Sequence, residues 1–203
     1  MCVTAQLDVG SATVSIVILS IAFVVITALF HFAIYAIRKK YYARAMTNRK
    51  HPLRWIEYSI TATIMILLIA LTVGCKSFSV LALLMVCTVV TMLLGLAIER
   101  CVVNDDASTA RLLTGMGWLL TALSFVVLGK VFIQTMTSNK NTPAFVPAVF
   151  VSMLVLFASF GVVQAIYISG KVTFVRAEYA YVVLSFVSKT LLVMLLFSGV
   201  MAR

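Results

Sequence analysis

Charged residues are scarce in this sequence, and acidic residues are the scarcest. Only 11% of the 203 residues are charged, with 6 Asp and Glu against 16 Lys and Arg. A water-soluble domain has about a quarter of its residues charged, because charged side chains solvate its surface. Since 63% of the residues are hydrophobic, a soluble globular protein is excluded. The sequence predicts an integral membrane protein whose surface is mostly solvated by lipid.

The four cysteines follow no spacing that is typical of metal sites or disulfide frameworks. No CxxC pair occurs, and neither histidine lies near a cysteine in the chain. We therefore expect no disulfide and no metal site. Basic residues are also missing from the N-terminal stretch, where the first is Arg38. A cleaved signal peptide begins with a basic region, so none is expected here.

Long apolar stretches make up most of the chain. A helix needs about 20 apolar residues to cross the hydrocarbon core of a bilayer. Its backbone groups must be hydrogen-bonded internally, because lipid offers them no partner. Six stretches meet this requirement: 11–37, 53–75, 77–98, 112–134, 144–170 and 178–202. We predict one all-α domain, residues 1–203, built as a polytopic bundle of six transmembrane helices.

Basic residues are distributed unevenly among the connections. The segment 38–54 has seven Lys and Arg, and the segments 99–111 and 170–178 have two each. The positive-inside rule places these segments in the cytoplasm and both chain termini on the extracytoplasmic side. The segment 38–54 also has the charge to bind anionic lipid or nucleic acid. Topology alone explains its composition, so we predict no nucleic-acid partner.

Two residues of opposite charge lie inside apolar stretches. Lys189 is near the middle of the last stretch, and Glu57 lies about one turn after Arg54. A charge in the hydrocarbon core is costly, so it is usually paired and functional. A lysine in an apolar pocket can form a Schiff base with an aldehyde, and a buried anion then balances the cation. A structural ion pair and a coupling site in a transporter explain the same two residues equally well.

Polar side chains recur at helical spacing around both charges, and their positions predict a polar cluster inside the membrane. His31 lies in the first apolar stretch at a depth similar to that of Glu57. Its imidazole is a candidate proton acceptor. The other polar neighbours are Arg54 and Thr61 beside Glu57, and Ser185 beside Lys189.

The remaining acidic residues are expected outside the membrane core. Glu178 precedes the last apolar stretch, where we expect it to cap the positive N-terminus of a helix. The others should lie at helix ends or in loops: Asp8, Glu99, Asp105 and Asp106. A proton pump needs acceptor and donor groups along a path, and this distribution predicts no such path.

Two strings, in order, resemble signatures of the heliorhodopsin family. Arg54-Trp55-Ile56-Glu57-Tyr58-Ser59 resembles the third helix of that family. Glu178-Tyr179-Ala180-Tyr181-Val182-Val183-Leu184-Ser185-Phe186-Val187-Ser188-Lys189 resembles its seventh helix. His31 matches a histidine late in the second helix, and residues 164–171 are similar to the sixth helix and its exit. The resemblance extends from about Val14 to the C-terminus.

The resemblance implies a rhodopsin-like seven-helix bundle without its first helix, because the six stretches match the second to seventh helices. It implies all-trans retinal on Lys189 as a Schiff base, with Glu57 as the counterion. Tyr58, Thr61 and Ser185 would lie beside the chromophore. Heliorhodopsins have a cytoplasmic N-terminus, form dimers, and are regarded as light sensors with slow photocycles.

We therefore expect a retinal-binding membrane photoreceptor that is neither an enzyme nor a pump. Its predicted partners are the lipid bilayer, a second copy of the chain in a homodimer, and an unidentified signalling protein. Three alternatives remain. The chain would be a chromophore-free scaffold or a small transporter, each using a buried Lys189–Glu57 ion pair, or a light-driven or light-gated proton conductor.

Overall fold

A computed structural model describes residues 9–37, 39–138 and 142–201. It contains seven helices: α1 (Val9–Ile37), α2 (Lys39–Thr47), α3 (Pro52–Thr72), α4 (Phe78–Val103), α5 (Ala107–Ser138), α6 (Phe145–Ile168) and α7 (Phe174–Met201). All except α2 are long and apolar enough to cross a membrane. The predicted all-α membrane bundle with six spanning helices is confirmed. Asp8 and Arg38, which entered the predictions above, lie outside the described residues.

Helix α3 is the central helix of the bundle. Buried residues make up 61% of the membrane span in α3 but only 6% of that in α1. Helix α3 packs against α1, α4 and α6, while α5 lies beside α4 and α6, and α7 packs against α6. It begins at Pro52, whose fixed φ suits a first helical turn. A polar side chain on α3 therefore has neighbours on several sides.

The two ends of the bundle differ in their buried side chains. Beyond Thr61, α3 buries Met65, Ile66, Leu68 and Ile69. Partners from α6 and α7 complete this apolar core: Val146, Val149, Met153, Leu192 and Leu196. Lipid is as apolar as these side chains, so close packing holds the helices together here. The buried charged residues in the described part of the chain lie in the other half, which also contains α2.

Helices α4 and α5 extend beyond the apolar stretches that predicted them. The stretch 77–98 lies in α4, which continues to Val103, and α5 already begins at Ala107. The extension includes Glu99, which lies four residues before the end of α4, near the helix end where it was expected. Its burial and its pairing with Arg54 were not predicted.

The basic segment 38–54 contains structure that the sequence analysis did not predict. Helix α2 forms within it and buries Ala45. Met46 packs against a small aromatic cluster that includes Tyr167 and Phe174. Arg44 remains exposed. The segment is therefore attached to the ends of α6 and α7, close to the start of α3.

Candidate functional site

A buried ion pair joins α7 to α3. The Nζ atom of Lys189 donates a hydrogen bond to Oε1 of Glu57. Both residues are buried, with 8% and 4% of their surface exposed. The hydroxyl of Thr61 lies 3.2 Å from the same carboxylate oxygen. The structure thus brings together the two intramembrane charges and one of their predicted polar neighbours.

An apolar cavity lies beside this pair, between α3, α4, α5, α6 and α7. It contains about 920 Å³ of empty space, part of which is open to the surroundings. Lys189, Ser185, Tyr58 and Thr61 line one side of the cavity. Most of the remaining lining is apolar or aromatic: Trp55, Met65, Met92, Trp118, Phe157 and Phe160.

Two tryptophans of the apolar cavity rest against glycines. A Cβ atom at Gly95 would lie 2.1 Å from the Trp55 ring, and one at Gly161 would lie 2.7 Å from the Trp118 ring. No side chain fits at such distances, so only glycine allows these rings to pack so closely on α4 and α6. The two glycines therefore fix the positions of two flat aromatic walls.

A second cavity, which we call the polar cavity, adjoins the pair on the α2 side. It contains about 1120 Å³ of empty space, part of it open. Its lining is rich in ionisable groups: His31, His51, Arg54, Glu57 and Glu178. Tyr58 and Ser185 line both cavities. The Lys189–Glu57 pair thus separates an apolar compartment from a polar one.

His31 lines the polar cavity together with Glu57 and Arg54, which places the three predicted members in one compartment. The hydrogen bond described for the His31 imidazole is not to the Glu57 carboxylate. Its Nδ1 atom lies 2.8 Å from the backbone oxygen of Thr27. A carbonyl can only accept, so Nδ1 is the protonated nitrogen of the neutral ring. His31 is exposed to the surroundings at this flank.

A second group of buried charges closes the α2 end of the polar cavity. Arg54 forms ion pairs with Glu99 of α4 and Glu178 of α7. Glu178 also lies 2.6 Å from Nδ1 of His51, and the backbone N–H of His51 donates to Glu99 at 2.9 Å. We call these four residues the arginine cluster. Glu178 is in the second turn of α7 and does not cap it, so that prediction is wrong.

Burial and a neighbouring charge shift the pKa of His51 in the arginine cluster. Burial lowers the pKa of His51 to about 4, and the nearby Arg54 charge adds to the shift. The carboxylates of Glu99 and Glu57 oppose this change. The Arg54 guanidinium stacks on two rings, 4.5 Å from Tyr181 and 4.8 Å from Trp55. These contacts hold the arginine at the centre of the cluster.

The sequence contained a signal for the arginine cluster that the analysis above missed. Glu178 precedes Lys189 by eleven residues, which is about three helical turns. Glu178 therefore shares a helix face with Lys189 and Ser185, so it points into the bundle. His51 precedes Arg54 by three residues, which likewise places the two side chains on one side of the chain.

A comparison of the sequence with known protein families identifies the family of this chain. A family model described as Heliorhodopsin matches residues 3–201. The chain belongs to the heliorhodopsin family. No curated protein matches the sequence. As a heliorhodopsin, the chain is a rhodopsin-like, multi-pass membrane protein of a family that binds retinal and associates with lipid.

The residues of the apolar cavity fit the chromophore that heliorhodopsin membership implies. Retinal is an apolar polyene with a terminal aldehyde. The cavity offers aromatic walls from Trp55 and Trp118, and its lining includes the primary amine of Lys189. Glu57 supplies a buried anion next to that amine. Lys76 and Lys130, by contrast, are exposed and do not belong to the described lining of this cavity.

Proposed function

We propose that this protein is a light sensor that binds all-trans retinal through a Schiff base to Lys189, with Glu57 as the counterion. The observation that supports this assignment best is the position of the Lys189–Glu57 pair at the wall of the apolar cavity. Retinal supplies the absorption of visible light and a light-driven change of shape when bound. The side chains of this chain provide the attachment point, the counter-charge and the shape of the cavity.

Each residue around Lys189 has a role that follows from its contacts. Glu57 stabilises a cation at the Lys189 nitrogen, because an opposite charge in direct contact favours the charged form. Thr61, 3.2 Å from the carboxylate, orients that carboxylate. Tyr58 is held by its hydroxyl, which donates to the backbone oxygen of Tyr181 at 3.1 Å. The ring of Tyr58 also lies 5.6 Å from the Lys189 nitrogen.

The distribution of polar groups favours a sensor over a pump. Transport across a membrane needs protonatable groups on both sides of the central charge. In the described residues, the buried charged groups lie at the Glu57 level or on its α2 side. The other half is packed with apolar side chains, among which Leu68, Val73 and Leu192 are fully buried. A proton that leaves Glu57 therefore has a polar environment on one side only.

The test is a spectrum of the full chain, expressed in membranes and purified with all-trans retinal. We expect a visible absorption band that bleaches with hydroxylamine, which attacks the imine linkage. Addition of all-trans retinol in place of retinal provides the control, because the alcohol cannot form the linkage. A purified, membrane-inserted protein that stays colourless with retinal would contradict the proposal and favour the chromophore-free scaffold or transporter.

A proton conductor is the second candidate, and the polar cavity favours it. This cavity connects Glu57 with Glu178 and reaches Tyr42 at the α2 end, so a path exists on that side. Illumination of proteoliposomes that contain the pigment distinguishes the two functions. The sensor predicts no sustained pH change that an uncoupler abolishes. A sustained light-dependent current that disappears in Glu57→Gln would establish conduction.

A further inference from the structure

The arginine cluster has more negative than positive charge. Arg54 is its one permanent cation, whereas Glu99 and Glu178 are both carboxylates, and all three are at most 4% exposed. Lys189 is already balanced by Glu57, so it adds no compensating charge. With a neutral His51, the cluster has a net charge of −1. An unbalanced buried charge is so costly that the group usually neutralises.

The hydrogen bonds identify which carboxyl takes the additional proton. Glu99 accepts from Arg54 with one oxygen and from the backbone N–H of His51 with the other. Both of its oxygens thus face donors, so an additional proton on Glu99 would have no acceptor. Glu178 pairs with Arg54 through Oε2, but its Oε1 lies 2.6 Å from Nδ1 of His51. A neutral imidazole can accept at that nitrogen, so a protonated Glu178 has an acceptor in place.

The surroundings of His51 are compatible with this arrangement. The residue is 4% exposed and lines the polar cavity. Its Nε2 atom has no hydrogen-bond partner in the described part of the chain. If Nδ1 accepts from Glu178, the proton of the neutral ring is on Nε2, and this donor needs a partner such as a water molecule in the cavity. Burial lowers the pKa of His51 to about 4, which leaves the additional proton on the carboxyl.

We propose that Glu178 and His51 form a buried proton-binding site, in which Glu178 is protonated at neutral pH and donates its proton to His51 Nδ1. The site is separate from the Lys189–Glu57 pair, and the polar cavity is its route for proton exchange. The ionisable groups that face it come from six helices: His31 of α1, Tyr41 and Tyr42 of α2, Arg54, Glu57 and Tyr58 of α3, Glu99 of α4, Tyr167 of α6 and Tyr181 of α7.

Infrared spectroscopy of the full chain without retinal tests this site, so the result does not depend on the proposed function. At neutral pH we expect a C=O band of a protonated carboxyl group that moves to lower frequency in D₂O. Glu178→Gln should abolish the band. His51→Asn should shift it, because the acceptor changes. Asp106→Asn is the matched control. Hydrogen bonds from Thr109 lower the pKa of Asp106, so this carboxyl is ionised and contributes no band.

Two results would overturn the proposal. The first is a wild-type spectrum without a protonated-carboxyl band at neutral pH. The second is a band that keeps its frequency and intensity in Glu178→Gln. If Glu178→Gln does not fold, Glu178→Asp replaces it, because it retains an acid but changes the distance to His51. A band that does not shift in Glu178→Asp belongs to another carboxyl and contradicts the assignment.

Discussion

The protein buries two groups of charged residues, and they differ in the balance between positive and negative charges. The Lys189–Glu57 pair contains one cation and one anion. The arginine cluster contains one arginine, two carboxylates and a histidine whose pKa is lowered by burial. A balanced pair can exist without further protons, whereas an unbalanced cluster needs one. The comparison suggests that the pair defines where a cationic chromophore linkage forms, and that the cluster defines where protons are held.

The largest effect is expected from removing the cation of the balanced pair. Lys189→Ala should abolish the visible band of the retinal-loaded protein, because the amine at the cavity wall is lost. Membrane insertion should be retained. Lys130→Ala is the matched control, since Lys130 is exposed near the end of α5. A Lys189→Ala protein that remains coloured and reacts with hydroxylamine would show that another lysine binds retinal.

Removing the anion of the pair should change the colour without abolishing it. Glu57→Gln deletes the charge that stabilises a cation at Lys189. The band should move to the near-ultraviolet if the linkage loses its proton, or to the red if an external anion replaces the carboxylate. Absorption spectra from mildly acidic to mildly alkaline pH measure this shift. Spectra identical to those of the wild type across that range would exclude Glu57 as the counterion.

The balanced pair was predictable from sequence, whereas the arginine cluster was predictable only in part: Glu178 shares a helix face with Lys189, but nothing in the sequence marks Glu99 as its neighbour. Lys189 and Glu57 interrupt long apolar stretches, and charges at that depth in the membrane are costly unless they are paired. The six spans were predictable for the same reason, since length and hydropathy suffice. Glu99 and Glu178 lie at the edges of their stretches, where solvated charges are common. Only the contact with Arg54 shows that they are buried, and that contact joins residues far apart in the chain.

The arginine of the cluster should matter more for stability than any exposed arginine. Arg54→Met leaves two buried carboxyl groups without their cation, and breaking a buried ion pair costs about 3–5 kcal/mol. The melting temperature of the purified protein should fall strongly. Arg100→Met is the control, because Arg100 is exposed on α4 and surface pairs contribute about 1 kcal/mol or less.

A second substitution added to Arg54→Met shows which carboxylate the arginine neutralises. If Glu178 is protonated, Glu99 is the carboxylate that Arg54 neutralises. Glu99→Gln should then restore more of the stability lost in Arg54→Met than Glu178→Gln does. Equal recovery by the two substitutions would mean that Arg54 balances both carboxylates equally. A loss in Arg54→Met no larger than in Arg100→Met would show that the buried pairs contribute little.

His51 should make the stability of the folded protein rise with pH between about 4 and 6.5. The pKa of His51 is lowered from 6.5 to about 4, so between these values the unfolded chain binds a proton that the folded protein does not. The stability contributed by a neutral His51 is present above about pH 6.5 and is lost as the pH falls toward 4. Its full size is on the order of 3 kcal/mol.

Melting curves across this pH window measure the His51 contribution. His51→Asn should lose the rise of melting temperature with pH relative to the wild type. The difference between the two curves measures the contribution of the imidazole and of its contact with Glu178. His31→Asn is the control, because its imidazole is exposed. Parallel curves for the wild type and His51→Asn would contradict the lowered pKa.

The smallest effect is expected at His31, which belongs to neither of the two charge groups. It lines the polar cavity with Glu57 and Glu178, but its Nδ1 atom is bonded to the backbone of Thr27 at 2.8 Å. His31→Phe should therefore leave the resting band nearly unchanged, because the hydrogen bond described for this imidazole is to the backbone and not to Glu57. The recovery of the resting spectrum after a flash should change by severalfold, because a protonatable group leaves the cavity.

Phe30→Leu, at a neighbouring apolar position of the same cavity, is the matched control. Unchanged recovery in His31→Phe would make His31 a packing residue and assign proton handling in the cavity to Glu57 and the arginine cluster.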